Sequence, residues 1–332
     1  MERAQPGRLT TPVRAAAQRL RIDSATAEVL RAFDAAGVES ILIKGASTVR
    51  WLYADREPRA YVDCDLLLRP GDGEAAAEQL RALGFGPDVA GAEMPEWWQH
   101  AETWTRAEDG AIVDLHRTLP GVRVDNEALW TALSGETETL TVGGCSSRVL
   151  PTSGRALLVA LHAAAHGGGQ PASLADLELA LGRVDEPGWR RVGELASSLG
   201  ATQALAAGMR LLPAGRALAA RLDLPSASAT DVVLRAGGGP SSALSIEHLA
   251  QADGLLGRLG IVRHKLAPPV TYMRKWSPRA RGSRLWLALA YAGRPIWLLS
   301  ATPRGLVAWR RARRVARRPG PRPDRAADLE PG

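Results

Sequence analysis

Two aspartates stand one residue apart inside an otherwise apolar stretch, and this pattern constrains the fold more than any other feature of the chain. Residues 59–68 read RAYVDCDLLL, with Asp63 and Asp65 followed by three leucines. Alternate residues of a strand point to the same face, so both carboxylates would be directed at one point. A carboxylate without a partner is costly to bury, and it therefore protonates, pairs with a cation or binds a metal. The stretch predicts a buried strand that presents a divalent-cation site.

The first part of the chain alternates helical and extended patterns. Asp109 and Gly110 form a strong hairpin signal between two of the extended segments. The predicted helices cover residues 13–36, 47–53, 73–85 and 126–133, and the predicted strands cover 40–44, 62–68, 101–107, 111–118 and 137–150.

After about residue 153 the pattern is helical throughout. Helices are predicted over residues 153–166, 173–183, 187–199, 201–212, 214–222 and 241–265. We therefore expect an α+β chain, with a mixed sheet and flanking helices followed by a helical C-terminal half. The predicted domains are residues 1–150, 151–265 and 266–332.

A third carboxylate and a glycine turn complete a candidate site. Asp114 lies in the apolar strand IVDLH, and the strand that ends in Lys44 is followed by the small residues Gly45, Ala46 and Ser47. Three carboxylates on adjacent strands suit two Mg²⁺ ions, which favour hard oxygen ligands. Two such ions hold the attacking and leaving oxygens of an in-line phosphoryl displacement. A glycine turn allows backbone N–H groups to approach a triphosphate.

The order and spacing of these motifs resemble the uncharacterised bacterial nucleotidyltransferases of the DNA polymerase β-like superfamily. Members of that family often occur in peptide natural-product gene clusters. The resemblance covers roughly residues 20–200. It rests on these motifs: Ile43-Lys44-Gly45-Ala46, Arg59, Asp63-Cys64-Asp65-Leu66-Leu67, Leu83-Gly84-Phe85 and Val113-Asp114-Leu115-His116.

The resemblance implies a nucleotidyltransferase-type catalytic domain that moves an NMP group from an NTP to an acceptor. The acceptor would be a peptide, a small molecule or RNA. Asp63, Asp65 and Asp114 would hold two Mg²⁺ ions, with Mn²⁺ as a substitute. His116 would contact the substrate. The triphosphate would be positioned by Lys44, Gly45, Ala46, Ser47 and Arg59.

Several of these side chains also have a structural interpretation, in which Asp63 and Asp65 would form a solvated strand face paired with arginines. Lys44 and Arg59 would form ion pairs with acids, and His116 would form an internal hydrogen bond. His162 and His166 stand four residues apart on one helix, but no third ligand is evident, so packing is favoured over metal binding. Cys64 is assigned to the core. Trp97, Trp98 and Trp104 are assigned to the core as well, with stacking on a nucleobase as the alternative.

Two other functions remain open at this point. The chain would be a nucleotide- or RNA-binding protein without catalysis, or a kinase or toxin-type transferase on the same fold. A binding protein has no reason to keep three mutually repelling acids together, which favours the transferase.

The charge of the chain is concentrated at its C-terminal end. Residues 258–332 contain 18 Lys and Arg against 3 Asp and Glu, whereas the whole chain has a net charge of +7. Such a segment favours a polyanionic partner for residues 266–332, although a solvated, arginine-rich tail over residues 310–332 explains the composition as well.

The most apolar segment, residues 285–301, is interrupted by Arg294 and Pro295. About 20 uninterrupted apolar residues are needed to cross a bilayer, so no transmembrane span is predicted. A buried helix pair is favoured over an interfacial helix. The chain has two cysteines and no secretory pattern at its start, which predicts a reducing, cytoplasmic setting.

Overall fold

A computed structural model describes residues 11–55, 59–88 and 101–317 of the 332-residue chain. In chain order, the elements up to residue 150 are α1 (Thr11–Ala35), β1 (Ser40–Leu42), α2 (Ala46–Leu52), β2 (Cys64–Leu68), α3 (Gly73–Ala82), β3 (Phe85–Pro87), β4 (Ala101–Arg106), β5 (Ile112–His116), α4 (Asn126–Ser134), β6 (Glu138–Val142) and β7 (Cys145–Val149). The helices that follow are α5 (Thr152–His166), α6 (Pro171–Arg183), α7 (Glu186–Ser198), α8 (Thr202–Met209), α9 (Pro213–Arg221), α10 (Thr230–Ala236), α11 (Ser241–Gln251), α12 (Gly254–Leu266), α13 (Val270–Trp276) and α14 (Arg284–Ala316).

The described strands form one mixed sheet in the order β3-β4-β5-β2-β1-β7-β6. Strand β2 runs parallel to β5, and β1 runs parallel to β7, while the other neighbours are antiparallel. A mixed sheet followed by a helical half confirms the predicted α+β class.

Side chains of the central strands point alternately to the two faces of the sheet, and each face has its own hydrophobic cluster. In β2, Leu66 and Leu68 pack with α1 and α3, whereas Leu67 packs with α2, α4 and α5 on the other face. Cys64 lies on the α1 face with 2% of its surface exposed, so it is a core residue as predicted. Asp65 lies between Cys64 and Leu66 and therefore belongs to the face that α5 covers.

The hydrophobic cluster on that second face contains residues from both sides of the predicted boundary at residue 150. Ile41 and Leu67 of the sheet belong to it together with Trp189 and Leu205 of the helical half. The helical half therefore packs directly on the sheet, and the site described below lies at this junction. The three-way domain division remains a prediction.

Several element boundaries differ from the predicted ones. Strand β2 starts at Cys64, so Asp63 precedes the strand, and β1 ends at Leu42, before Lys44. The helix predicted over residues 241–265 is two helices, because Ala252 is extended and Gly254 has a φ of 65°. A left-handed residue of this kind interrupts a helix. The short strand β3 was not predicted.

The apolar segment 285–301 belongs to one continuous helix and is not a helix pair, which corrects the prediction. Helix α14 continues through Pro295 and Pro303 to Ala316. It packs along α11, and Ala312 is buried in a small cluster with Leu234 and Ala243. Tertiary packing here overrides the local effect of proline. Part of the arginine-rich end is thus ordered helix, and residues 318–332 lie outside the described residues.

Among the residues described, no helix combines the length and the apolar character that a membrane crossing requires.

Candidate functional site

The parallel pairing of β2 and β5 brings two of the predicted acids together. Asp65 is the register partner of Asp114, and Leu67 is the partner of His116. Because side chains alternate along both strands, Asp65, Asp114 and His116 all lie on the face covered by α5. His116 Nε2 lies 2.8 Å from Asp65 Oδ1, and both side chains are almost completely buried.

Lys44 and Gly45 form the turn between β1 and α2. Lys44 Nζ donates to Asp65 Oδ1 over 3.2 Å. Gly45 has a φ of 59°, and a Cβ at this position would lie 2.9 Å from the backbone oxygen of Asp63. Both the conformation and the close approach require glycine here. Its loop therefore lies directly against the residue that precedes β2.

Ala46 and Ser47 are buried in the first turn of α2 and do not line the cleft described below. The Ser47 hydroxyl has no hydrogen-bond partner among the described residues. Their assignment to triphosphate binding remains a prediction. Of the three small residues in this turn, Gly45 lines the cleft, and it does so with its backbone.

The three aspartates have different electrostatic environments. Burial, together with the charges of Asp65 and Asp114, raises the pKa of Asp63 to about 7. Burial also raises the pKa of Asp114, with a contribution from Asp65. Burial would raise the pKa of Asp65 too, but Lys44 and His116 outweigh it and hold this pKa well below the usual range. Asp65 is therefore the carboxylate that stays ionised.

A divalent cation fits this group. Among the described residues, one ligand atom each of Asp65, Asp114 and His116 lies within 4.8 Å of the others. Asp114 Oδ1 is buried and has no hydrogen-bond partner in the part of the chain that the structure describes, so this oxygen has lone pairs available for a ligand. Asp63 is outside the cluster but lines the same cleft. The two carboxylates of this group supply the oxygen ligands that Mg²⁺ and Mn²⁺ favour.

The acids lie in a cleft with a volume of about 620 Å³ between the sheet and the helical half. This volume is within the range of small-molecule sites. Lys44, Asp63 and Asp114 line it from the sheet side. The residues that line it from the helical half, which the sequence did not assign to a site, are His162, Ala165, His166, Gln170 and Arg235.

Arg59 lines the cleft but is held by an acid of the helical half. Its Nε and Nη2 donate to the two oxygens of Asp176 over 3.0 and 2.5 Å. Tyr53 donates to the same carboxylate over 2.8 Å. Asp176 is 3% exposed, so this network joins the rim of the cleft to α6. The structural interpretation of Arg59 accounts for these contacts, and its role at a triphosphate remains a prediction.

The two histidines of α5 pack against each other at the cleft wall. The ring centroids of His162 and His166 are 4.5 Å apart in an edge-to-face arrangement. Burial lowers the pKa of His162 to about 3 and also lowers the pKa of His166. Both rings are therefore neutral at pH 7. The preference for packing over metal binding is consistent with this geometry, although their position in the cleft was not predicted.

The tryptophans have separate outcomes. Trp104 is 1% exposed and belongs to the core, as predicted. Trp97 and Trp98 lie outside the described residues.

Comparison with known proteins identifies a family. The model of the uncharacterised nucleotidyltransferase family matches residues 8–214, which is more than half of the chain. A search of curated proteins finds no match. The solution structure of the antibiotic-resistance factor ANT(2'')-Ia is 14% identical with a TM-score of 0.34, and the match covers 52% of this chain and 86% of that one.

A crystal structure of an antigenic nucleotidyltransferase-like protein from Paracoccidioides brasiliensis is also 14% identical, with a TM-score of 0.36 over 63% of this chain and 94% of that one. The family match over residues 8–214 includes every predicted site residue. The chain belongs to the uncharacterised nucleotidyltransferase family.

Proposed function

We propose that the chain is a divalent-metal-dependent nucleotidyltransferase that moves an NMP group from an NTP to an acceptor. The observation that carries this proposal is the register pairing of Asp65 with Asp114 at a cleft of about 620 Å³. Asp114 also belongs to the group of potential metal ligands, and its buried Oδ1 has no hydrogen-bond partner among the described residues. Membership of the nucleotidyltransferase family supports the same reaction class.

Asp65 and Asp114 would hold the metal, and Asp63 would complete a two-ion site. When bound, Mg²⁺ or Mn²⁺ would offset the charge on the triphosphate and on the attacking and leaving oxygens. The clustered acids are costly without a cation, as the raised pKa of Asp63 indicates. His116 would hold Asp65 in its position through the 2.8 Å contact.

Lys44 and Gly45 would position the triphosphate. Lys44 is the only one of the three lysines that lines the cleft, and its ammonium reaches the metal-side carboxylate from the turn after β1. The tight turn at Gly45 exposes backbone to the cleft, where N–H groups are natural phosphate ligands. Arg59 would contribute positive charge at the rim while it remains bonded to Asp176.

The acceptor would enter from the side of the helical half. Neutral His162 and His166, together with Gln170, offer hydrogen-bonding groups without adding charge. Asp114 would favour loss of the acceptor proton, because an ionised carboxylate nearby stabilises the proton as it leaves. The acceptor is a peptide, a small molecule or RNA in this proposal.

The test uses NTPs labelled at the α or the γ phosphate, with Mg²⁺ and a panel of peptide, RNA and small-molecule acceptors. Transfer of the α label is the expected result, and Asp65→Asn should abolish it. Transfer of the γ label would identify a kinase instead. NTP binding without transfer of either label to any acceptor would favour a nucleotide-binding protein.

A further inference from the structure

A second cavity lies among α11, α12, α13 and α14. Its volume is about 420 Å³, within the ~300–1,000 Å³ range of small-molecule sites. Much of its wall is aliphatic, with contributions from Leu244, Leu249, Val262 and Leu298. None of these residues belongs to the cleft described above.

The cavity is lined by a buried arginine. Arg294 is 2% exposed, and its Nε donates to the backbone oxygen of Lys265 over 2.7 Å. Its guanidinium carbon lies 5.0 Å from the ring centroids of Tyr272 and Trp276 and 5.7 Å from that of Trp297. Its Nη1 is buried and has no hydrogen-bond partner among the described residues.

The aromatic rings account for only part of the burial of this charge. Ring faces attract a cation, but they do not supply the in-plane acceptor that an N–H group of the guanidinium requires. Within the described part of the chain, Arg294 forms no ion pair with a carboxylate. A buried cation without such a partner is costly, and an anion in the cavity would remove that cost.

The remaining polar lining is also cationic or neutral. Lys265 and Arg235 line the cavity, and burial together with Arg294 lowers the pKa of Lys265 to about 8. Of the described residues, no aspartate or glutamate contributes to the lining. Glu247 stands between the lining residues Ile246 and His248, but its carboxylate accepts hydrogen bonds from Trp309 and Gln251. The lining of the cavity therefore combines positive charge with aliphatic side chains.

We propose that this second cavity binds a small amphiphilic anion. A carboxylate or phosphate group would accept hydrogen bonds from Nη1 of Arg294, with Lys265 close by, and an apolar body would pack on the aliphatic wall. This site is additional to the proposed transferase function, since it shares only Arg235 with the catalytic cleft.

The experiment measures binding of four probes to the full chain by calorimetry and by tryptophan fluorescence. Decanoate and octyl phosphate combine both required features, octanol lacks the charge, and inorganic phosphate lacks the apolar body. We expect saturable binding of the two amphiphilic anions, with octanol and phosphate at least about 10-fold weaker. Because Trp276 and Trp297 contact the guanidinium, their emission should change on binding.

Two variants and one control locate the site. Arg294→Met should weaken the binding of decanoate and of octyl phosphate by at least about 10-fold, since it removes a charge-assisted hydrogen bond. Ser245→Phe fills the cavity from α11 and should block binding while Arg294 is retained. Arg304→Met removes an exposed charge from the same helix and should bind as the wild type does. Circular dichroism establishes that each variant is folded.

The proposal is overturned if folded Arg294→Met and Ser245→Phe both keep wild-type affinity, or if octanol binds as tightly as decanoate. It is also overturned if the chain binds anionic vesicles but neither monomeric amphiphile, because that result indicates a surface contact. The probes carry no nucleotide, so loss of NMP transfer in the catalytic experiment leaves this result unaffected.

Discussion

Lys44 Nζ lies 3.2 Å from Asp65 Oδ1, so one contact joins the proposed triphosphate side of the cleft to the proposed metal side. Together with His116, this ammonium keeps the buried Asp65 ionised in the absence of a cation. A metal ion on Asp65 would take over that role and leave Lys44 available for a phosphate. The same lysine is thus expected to act oppositely on metal and nucleotide affinity.

Lys44→Met should therefore weaken NTP binding by about 10- to 100-fold, because charge-assisted hydrogen bonds contribute ~1.5–3 kcal/mol. It should also tighten Mn²⁺ binding in the absence of NTP, since a competing cation is removed. Calorimetry with each ligand measures both effects. Lys275→Met, on α13 and outside the cleft, is the matched control. Unchanged affinities in Lys44→Met would make Lys44 a structural residue.

Asp65→Asn should lower NMP transfer by more than about 100-fold, because changes to residues that merely support a metal ligand already cost about 10- to 100-fold. The amide keeps the size of the side chain, so the fold should be retained. Transfer of the α label measures activity, and circular dichroism measures folding. Full activity in the folded variant would remove Asp65 from the metal site.

Asp63→Asn should stabilise the metal-free protein, and the gain should grow with pH. The pKa of Asp63 is raised to about 7 in the folded state, against an ordinary value near 4 in the unfolded chain. Between these values the folded state binds more protons than the unfolded state, so the wild type loses stability as the pH rises through this window. Asparagine does not ionise and avoids that loss.

Melting temperatures in EDTA at pH 4.5 and pH 8 measure the difference between Asp63→Asn and the wild type. The gain should be larger at pH 8, and saturating Mg²⁺ should reduce it by stabilising the wild type. Glu108→Gln, on the exposed turn between β4 and β5, is the control. An equal gain at both pH values would show that the charge of Asp63 is not the cause.

The sheet side of the site was predictable from sequence because it depends on local patterns. Alternation within VDCDLLL separates Asp65 from Cys64, and the same alternation in IVDLH places Asp114 and His116 on one face. The structure supplies the register of the parallel pair, which brings Asp65 opposite Asp114. Strand β2 starts two residues later than predicted, and this difference does not change the arrangement.

The helical side was not predictable, because it depends on how helices far apart in sequence pack on the sheet. Asp176 stands 117 residues after Arg59, and nothing local marks it as the partner. The spacing of His162 and His166 indicated one helix face but not the cleft. Helix α14 likewise continues through Pro295 and packs along α11, a contact between elements that the local pattern does not indicate.

The pairing of Arg59 with Asp176 leads to a prediction that separates its two interpretations. Arg59→Met and Asp176→Asn should each lower stability, by about 1–3 kcal/mol, since each breaks charge-assisted hydrogen bonds to a buried carboxylate. A purely structural pair gives strong coupling in a double-mutant cycle and no change in KM for the NTP.

A role at the triphosphate has a different outcome. Arg59→Met would then raise KM for the NTP, whereas Asp176→Asn, which keeps the arginine, would raise it less. Denaturant unfolding and steady-state kinetics on the two single variants and the double variant measure both quantities. Arg183→Met, whose partner Asp55 is exposed, serves as a control for loss of a surface ion pair at the same junction.

The excess positive charge of the C-terminal region lies in its ordered helices. Residues 258–317 contain 15 Lys and Arg and no Asp or Glu, whereas residues 318–332 contain three of each sign. If a polyanion binds here, affinity should fall steeply with salt, because neutralised phosphates release counterions. Deletion of residues 318–332 should then have little effect, since it removes no net charge.

Replacement of Arg310, Arg311 and Arg314 by glutamine should instead reduce the slope of log affinity against log salt by about 2–3, at roughly 0.9 for each lost phosphate contact. All three side chains are exposed on α14, and Ala312 beside them is buried, so the substitutions spare the packing. Binding to tRNA and to anionic vesicles, over a series of salt concentrations, measures the slope. A solvated arginine-rich surface without a partner would give no salt-dependent binding to either probe, and the triple variant would then equal the wild type.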